Sequence, residues 1–420
     1  MKDSGIEWIG EIPEGWEIKY FVQLFSQVKN KNIGLREKNL LSLSYGKIKQ
    51  KSIETVGGLL PDNFEGYNII DSNDIVLRLT DLQNDQHSLR VGLSHERGII
   101  TSAYCSIRVR GAESPNYLYY YLHTFDIAKG FYGMGSGVRQ GLNWDGLKYI
   151  KILLPPQHEQ DRISIFLNQK TLEIDSMLSK TISSIEEYKK LKQAVITQAV
   201  TKGVRGEREM KNSGVEWIGE IPKEWVCEKI KYATSISRGL FNHRPRNDER
   251  YYNGKYPFIQ TGDVANATKY IVSYSQTLNE LGKSVSKEFP KGTLTMTIAA
   301  NVGDVAILNF DAYFPDSVVG FVPNKNIRTL YLFYVFSAMK DEFIRTAIKS
   351  TQLNLNIDRV KETFIPVTLN VNEQCEIENY LESKCAEIDE LIAKKEQLVK
   401  ELESYKKSLI YEVVTGKREV

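Results

Sequence analysis

A segment near one end of the 420-residue chain, DSGIEWIGEIPEGWE from Asp3 to Glu17, returns as NSGVEWIGEIPKEWV from Asn212 to Val226, with 10 of 15 positions identical. Repetition on this scale limits the architecture before any motif is considered, because each copy must bury the same faces in the same way. Shorter matches follow in the same order. Leu142-Asn143-Trp144-Asp145 returns as Leu355-Asn356-Ile357-Asp358, Glu159-Gln160 as Glu373-Gln374, and Ile174-Asp175 as Ile388-Asp389. Each half therefore runs through a tryptophan-rich lead-in, a long mixed region, an Asn-Asp element, a Glu-Gln helix start and a long charged helix.

Between the matched ends, residues 18–141 and 227–354 share little identity, yet both carry short apolar runs broken by Gly, Asn and Asp. Asp74 to Leu79 and Thr293 to Ile298 read as strands of mixed α/β globules, and Tyr117 to Leu122 and Leu330 to Met339 as helices. The long helices are clearer. From Ile377 the positions 377, 381, 384, 388, 391, 395, 398, 402, 405, 409 and 412 alternate steps of four and three, apolar except at Lys384, Lys395 and Glu412. That is a coiled-coil seam. A looser version runs through Ile163, Leu167, Ile174, Leu178, Ile182, Ile185, Tyr188, Leu191, Val195 and Ala199, and the two helices are expected to pack together. The alternative is a pair of amphipathic helices, each lying on its own globule. Against it, a helix of roughly 38 residues reaches about 57 Å, longer than a globule of about 140 residues is wide. Pro155 and Pro156 precede the first helix, whereas Pro366, Asn370 and Asn372 precede the second; both place Glu and Gln in the first turn, where a carboxylate suits the helix dipole.

Composition excludes several classes. With 41% hydrophobic and 26% charged residues and 12 prolines, the chain is a folded protein. Cys105, Cys227, Cys375 and Cys385 form no CxxC pair and read as isolated reduced thiols. The charged first 20 residues make a poor signal peptide, and the lack of a long apolar run points to the cytoplasm. Net charge is only +2, so any DNA binding must be local, and the acidic C-terminal end, with 8 Lys and Arg against 12 Asp and Glu over 368–420, should not face phosphates.

Catalytic signatures are missing. Gly282-Lys283-Ser284 has Thr277 where a P-loop needs its first glycine, and Gly133, Gly135, Gly137 and Gly141 lack dinucleotide-fold spacing. Neither Pro61-Asp62 nor Pro315-Asp316 leads to the Asp/Glu-x-Lys of a nuclease, and no Asn/Asp-Pro-Pro-aromatic methyltransferase motif occurs. His87, His95, His123, His158 and His243 lack metal-ligand spacing and read as surface or packing residues. What remains suits recognition. RGLFNHRPRNDER, residues 238–250, gathers Arg238, Asn242, His243, Arg244, Arg246 and Arg250 in a broken loop. Guanidinium matches guanine O6/N7 and carboxamide matches adenine N6/N7; a merely solvated loop is the competing reading. In the first half, Lys47, Lys49 and Lys51 alternate along a strand-like stretch and share one face suited to phosphate. Arg78, Gln83, Asn84, Arg139, Gln140 and Asn143 are candidate base readers there. Trp8, Trp16, Trp217 and Trp225 read as structural anchors tying each globule to a helix end.

This order of parts resembles the specificity subunits of type I restriction and modification systems over essentially the whole chain. The resemblance is carried by the duplicated SG-EWIGEIP-W (Ser4 to Trp16, Ser213 to Trp225), PFIQTGDV (Pro257 to Val264), the proline-led Glu159-Gln160 and the terminal VVTGK (Val413 to Lys417). It implies an α+β fold: two mixed α/β target-recognition domains, 1–156 and 207–367, joined by a central (157–206) and a distal (368–420) helical region that form an antiparallel coiled coil. It further implies that each domain reads half of an asymmetric split site in double-stranded DNA. The helices then act as a ruler, holding the domains about one DNA turn, roughly 34 Å, apart, and dock two methyltransferase (M) subunits, which restriction (R) subunits join. Adenine methylation with S-adenosylmethionine and ATP-driven cleavage would belong to those partners, leaving this chain non-catalytic, without a cofactor and without a membrane contact. The second helix departs from the pattern in lacking a Pro-Pro lead. Two other classes stand as alternatives: a coiled-coil adaptor without DNA specificity, and a self-contained DNA-modifying enzyme.

Overall fold

The computed structural model describes residues 1–52, 63–82, 84–85, 88–134, 141–349 and 353–420. The chain divides into two compact units, one of residues 1–182 with 396–420 and one of residues 183–395. Four helices frame them: α1 (Pro115–Ile127), α2 (Gln157–Lys202), α3 (Thr329–Ala338) and α4 (Val371–Val414). At 46 and 44 residues, α2 and α4 are longer than the sequence estimate. Neither Gly nor Pro interrupts them, and each stops only near a glycine in the left-handed region, Gly203 at φ +74° and Gly416 at φ +71°. α4 dispenses with a proline lead because the Asn370 side chain accepts from the backbone N–H groups of Asn372 and Glu373 at 3.1 and 3.4 Å.

In the first unit, one four-stranded sheet runs in the order Lys47–Lys51, Leu40–Ser44, Gly98–Ile100, Asn68–Ile70. A second runs Phe25–Gln27, Cys105–Val109, Ile75–Leu77, Val91–Leu93. The second unit holds a five-stranded sheet in the order Thr234–Arg238, Val318–Pro323, Leu294–Thr297, Val305–Leu308, Tyr270–Ile271. It also holds a four-stranded sheet of Gln276–Leu278, Tyr252–Phe258, Ala312–Tyr313 and Glu288–Phe289. Residues 75–77 and 294–297 are interior strands, every residue buried; Ile75–Leu77 reads as a continuous apolar run, whereas Leu294–Thr297 alternates with threonines that the core also buries.

Each unit closes its core with the start of one long helix and the end of the other. In the first, Ile163, Leu167 and Ile174 of α2 share a cluster with Leu409, Ile410, Val413 and Val414 of α4 and with Tyr117, Tyr121 and Leu122 of α1. In the second, Ile196, Ala199 and Val200 of α2 meet Ile377, Leu381 and Cys385 of α4 and Tyr331, Val335 and Phe336 of α3. Start against end defines an antiparallel pair. Where no third element covers the seam, Ile182, Leu191, Leu391, Leu398 and Tyr405 stay 40% to 51% exposed, since two helices shield each other on one side only. Cross-helix ion pairs repeat as well: Lys406 to Asp175 in the first unit and Lys192 to Asp389 in the second, both at 2.6 Å.

The tie between globule and helix is repeated atom for atom at its centre. Gln160 Oε1 accepts from Ser114 N at 2.9 Å while its Nε2 donates to Pro155 O at 2.9 Å. Gln374 Oε1 accepts from Arg328 N at 2.8 Å while its Nε2 donates to Thr368 O and Asn326 O, both at 2.8 Å. Both glutamines are buried. Beside them, Tyr117 Oη donates to Leu153 O and Tyr331 Oη to Pro366 O. The flanking chemistry differs. Ser114 and Ser164 share a hydroxyl contact in the first unit, where the second has an Arg328–Glu378 ion pair at 2.8 Å. Trp16 Nε1 donates to Glu159 at 2.8 Å, anchoring the lead-in to α2. The matching Glu373 is taken by Arg208 at 2.6 Å, whose guanidinium lies over the Trp225 ring.

Replacing Gln374 by Ala strands a buried N–H and two carbonyls, at a cost of about 1–3 kcal/mol per unsatisfied group. Thermal denaturation should show a melting temperature several degrees lower, while Gln169→Ala on the exposed face of α2 leaves it within a degree or two.

Candidate nucleic-acid interface

The basic loop of the second unit is a rigid turn with charged tips. Phe241 is buried against Tyr252 and Phe258, with ring centroids 5.7 and 5.4 Å away. Backbone bonds from Leu240 N to Phe314 O and from Asn242 N to Val285 O, both 3.0 Å, hold the chain on either side. Gly239 admits no side chain, since a Cβ there would lie 2.2 Å from Pro315 O. On this base Arg238 donates to Asp316 O, Arg246 pairs with the Asp316 carboxylate, and Arg244 Nη2 stands 3.8 Å from it. Three guanidinium groups thus gather at one aspartate, two facing its carboxylate and Arg238 its backbone carbonyl, leaving a local excess of positive charge.

Arg244 also donates to Phe241 O and His243 O, both at 2.8 Å, which fixes its direction. Arg250 is engaged differently. It pairs with Asp248 at 2.7 Å, and Asp248 also holds His243 Nε2 at 2.9 Å, while the His243 ring stacks on Tyr251. Hydrogen bonding from Arg250 keeps the Asp248 carboxyl well below the usual carboxylate range. Asn242 is exposed beside them. Sequence reading missed Lys287 and Asp316. Lys287 donates to Ser237 Oγ at 2.7 Å next to Arg238, and only a backbone bridge from Phe241 to Ser286, distant in sequence, brings it there.

In the first unit Lys47, Lys49 and Lys51 lie on an edge strand paired to Leu40–Ser44. Lys47 is drawn to Asp175 of α2 at 2.9 Å, while Lys49 and Lys51 are exposed. Arg78 pairs with Asp85 at 3.2 Å, and Asn84 Nδ2 donates to Asp81 at 2.8 Å. Asn143 caps the short helix Trp144–Leu147, its Oδ1 accepting from Gly146 N at 3.1 Å, and its repeat Asn356 caps Ile357–Glu362 through Asp358 N at 2.8 Å. That shared capping duty accounts for its duplication. Gln83, Arg139 and Gln140 lie outside the described residues. Among the described residues no group of His, Cys, Asp and Glu is placed to hold a metal ion, and no helix is long and apolar enough to cross a membrane.

Comparison with known proteins places these features. The family described as type I restriction modification DNA specificity domain matches residues 236–401. A putative type I restriction enzyme MjaX specificity subunit of Methanocaldococcus jannaschii is 24% identical, covering 97% of this chain and 95% of its own length. The MjaVIII specificity subunit of the same organism is 23% identical, covering 97% and 93%. Among solved structures, the HsdS subunit from Thermoanaerobacter tengcongensis matches with a TM-score of 0.54 at 15% identity over 100% of both chains. A chain from a structure concerned with complex assembly and conformational transition of the type I R-M system matches with a TM-score of 0.74 at 15% identity, over 97% of this chain and 100% of that one. These structural likenesses establish the fold.

Behind the Arg78 turn, Asp126 of α1 accepts from Arg90 N at 2.7 Å, and its other oxygen is buried without a partner. Burial raises this carboxyl to about 6, against the pull of Arg90 and Lys129. A raised carboxyl contributes stability below about pH 4 that is lost as pH climbs through about 6. Asp126→Asn, which keeps an acceptor for Arg90, should therefore melt close to the parent near pH 4.5 and several degrees higher at pH 7.5. An advantage independent of pH would contradict the assignment.

Proposed function

Because this chain belongs to the specificity subunits of type I restriction and modification systems, we propose that it reads a bipartite, asymmetric site in double-stranded DNA, one half-site per mixed domain. The observation that carries this reading is the rigid turn bearing Arg238, Arg244 and Arg246 around Asp316. Its arginines are exposed yet oriented, as forked donors must be to pair bidentately with guanine, and Asn242 beside them suits adenine. Such a turn loses little entropy on binding. His243 and Arg250 flank it, and Lys287 adds a phosphate contact. In the first unit, Lys49 and Lys51, with Lys47 at the helix, hold phosphate, while Arg78, Gln83, Asn84, Arg139, Gln140 and Asn143 supply base contacts. With a net charge of +2, affinity rests on these patches and not on a general field.

The recognition domains are residues 1–156 and 207–367, and the helical regions 157–206 and 368–420 set the unread spacer and dock two methyltransferase subunits, which restriction subunits join. The chemistry belongs to those partners: adenine methylation with S-adenosylmethionine, and cleavage. The specificity chain selects and does not react.

Combined Arg244→Ala and Arg246→Ala substitution should erase preference for the half-site read by the second unit. A lost bidentate guanine contact is worth about 1–3 kcal/mol, roughly 10- to 100-fold in discrimination. Competition binding with duplexes scrambled in one half at a time, beside genome-wide mapping of methylated bases, should show the other half-site unaffected. Equal loss of both halves would mean general phosphate binding and refute the assignment.

A further inference from the structure

In the first unit a buried arginine points four of its five donors at one turn. Arg90 is 0% exposed. Its Nη1 donates to Arg78 O at 3.1 Å and Thr80 O at 2.8 Å, and its Nη2 to Asp81 O at 3.3 Å and to Asp85 O. Its Nε donates to Tyr132 Oη at 3.0 Å, and the guanidinium lies 5.0 Å from that ring. All five donors of the fork are used, four of them on carbonyls of residues 78–85. The backbone joins in, with Arg78 N donating to Arg90 O at 2.9 Å and Arg90 N to Asp126. A buried guanidinium held by carbonyl dipoles is costly to assemble, and it holds the carbonyls of Arg78, Thr80, Asp81 and Asp85 around one point.

The chemistry of the arrangement suits a polyanion. Carbonyl oxygens repel phosphate, and here those of Arg78, Thr80, Asp81 and Asp85 are turned inward onto a cation. The side chains of Arg78 and Asn84 face the solvent side, where Asp85 and Asp81 hold them. The same turn carries a second segment, since Leu142 N donates to Leu79 O at 2.9 Å. This junction is duplicated: Leu355 N donates to Ile298 O at 2.9 Å in the second unit. There the shorter turn is fixed without an arginine, by Thr297 Oγ1 donating to Asn301 O. The framework joining two variable segments is thus common to both units, and the clamp is particular to each.

We propose that Arg90 is a specificity-determining positioning residue: without touching DNA, it preorganises Arg78, Thr80, Asp81, Asn84 and Asp85 as the base-reading surface of the first unit. This rests on the DNA-reading function proposed above. The test uses the full chain co-purified with the methyltransferase polypeptides of its own system and duplexes scrambled in either half-site. Arg90→Lys keeps the charge but loses the fork; it should lower preference for the first unit's half-site at least tenfold. Preference for the other half and the slope of log affinity against log salt should not change. Tyr132→Phe removes only the oxygen that accepts from Nε and donates to Asp85 O at 3.5 Å, and should cost that half-site a few-fold with the melting temperature of the parent, which decides the matter if Arg90→Lys fails to fold. Folded variants that keep the parent's half-site preference would overturn the role of Arg90, as would uniform weakening toward every duplex. A parent complex with no sequence preference at all would instead overturn the DNA reading itself.

Discussion

Two buried side-chain amides, Gln160 and Gln374, hold the architecture together. Each lies in the first turn of a long helix, accepts from the first free N–H of a globule helix and donates back to the strand that leads into its own helix. Neither globule can turn about its helix without leaving buried polar groups unpaired. The tyrosines beside them, Tyr117 and Tyr331, bond to the same strands and enforce the same angle. Placement of each globule on its helices therefore begins at the helix starts, well away from the candidate interface loops.

Much of this was legible in the sequence because repetition and periodicity both report packing. The duplicated lead-in, the Glu-Gln pair and the seam positions Ile163, Leu167, Ile377 and Leu381 each fill a core site in the unit that holds them. The interior strand Ile75–Leu77 showed as a short unbroken apolar run for the same reason. The seam pattern spoke less clearly at Ile182 and Leu391, which keep the heptad spacing yet stay half exposed, because periodicity records which face is apolar and not what covers it.

The candidate interface was only partly legible. Sequence composition singled out 238–250, and Arg238, Arg244 and Arg246 do gather there, but the Asp316 they gather around comes from a turn far along the chain. Arg90 drew no attention, because a lone arginine before a strand carries no sign that its side chain will be buried. Asn143 stood out by its repetition, which reflects helix capping. Repetition marks what the two halves share, so it points away from a residue such as Arg90 that only one half holds.

The mismatch between the two tethers has a bearing on modularity. Ser114 meets Ser164 in one unit and Arg328 meets Glu378 in the other, and in each pair the second partner sits buried in the opening turns of the long helix. A globule transplanted from one half to the other would bring Ser114 to Glu378, leaving a buried carboxylate with only the N–H supplied by its neighbour at the Tyr331 position. The reciprocal swap would press a guanidinium on the lone Ser164 hydroxyl, with no carboxylate to meet it. Interchangeable as the halves look in outline, a crossover that preserves stability must fall inside the helix, downstream of these two contacts, so the natural unit of exchange is a globule together with the opening turns of its helix.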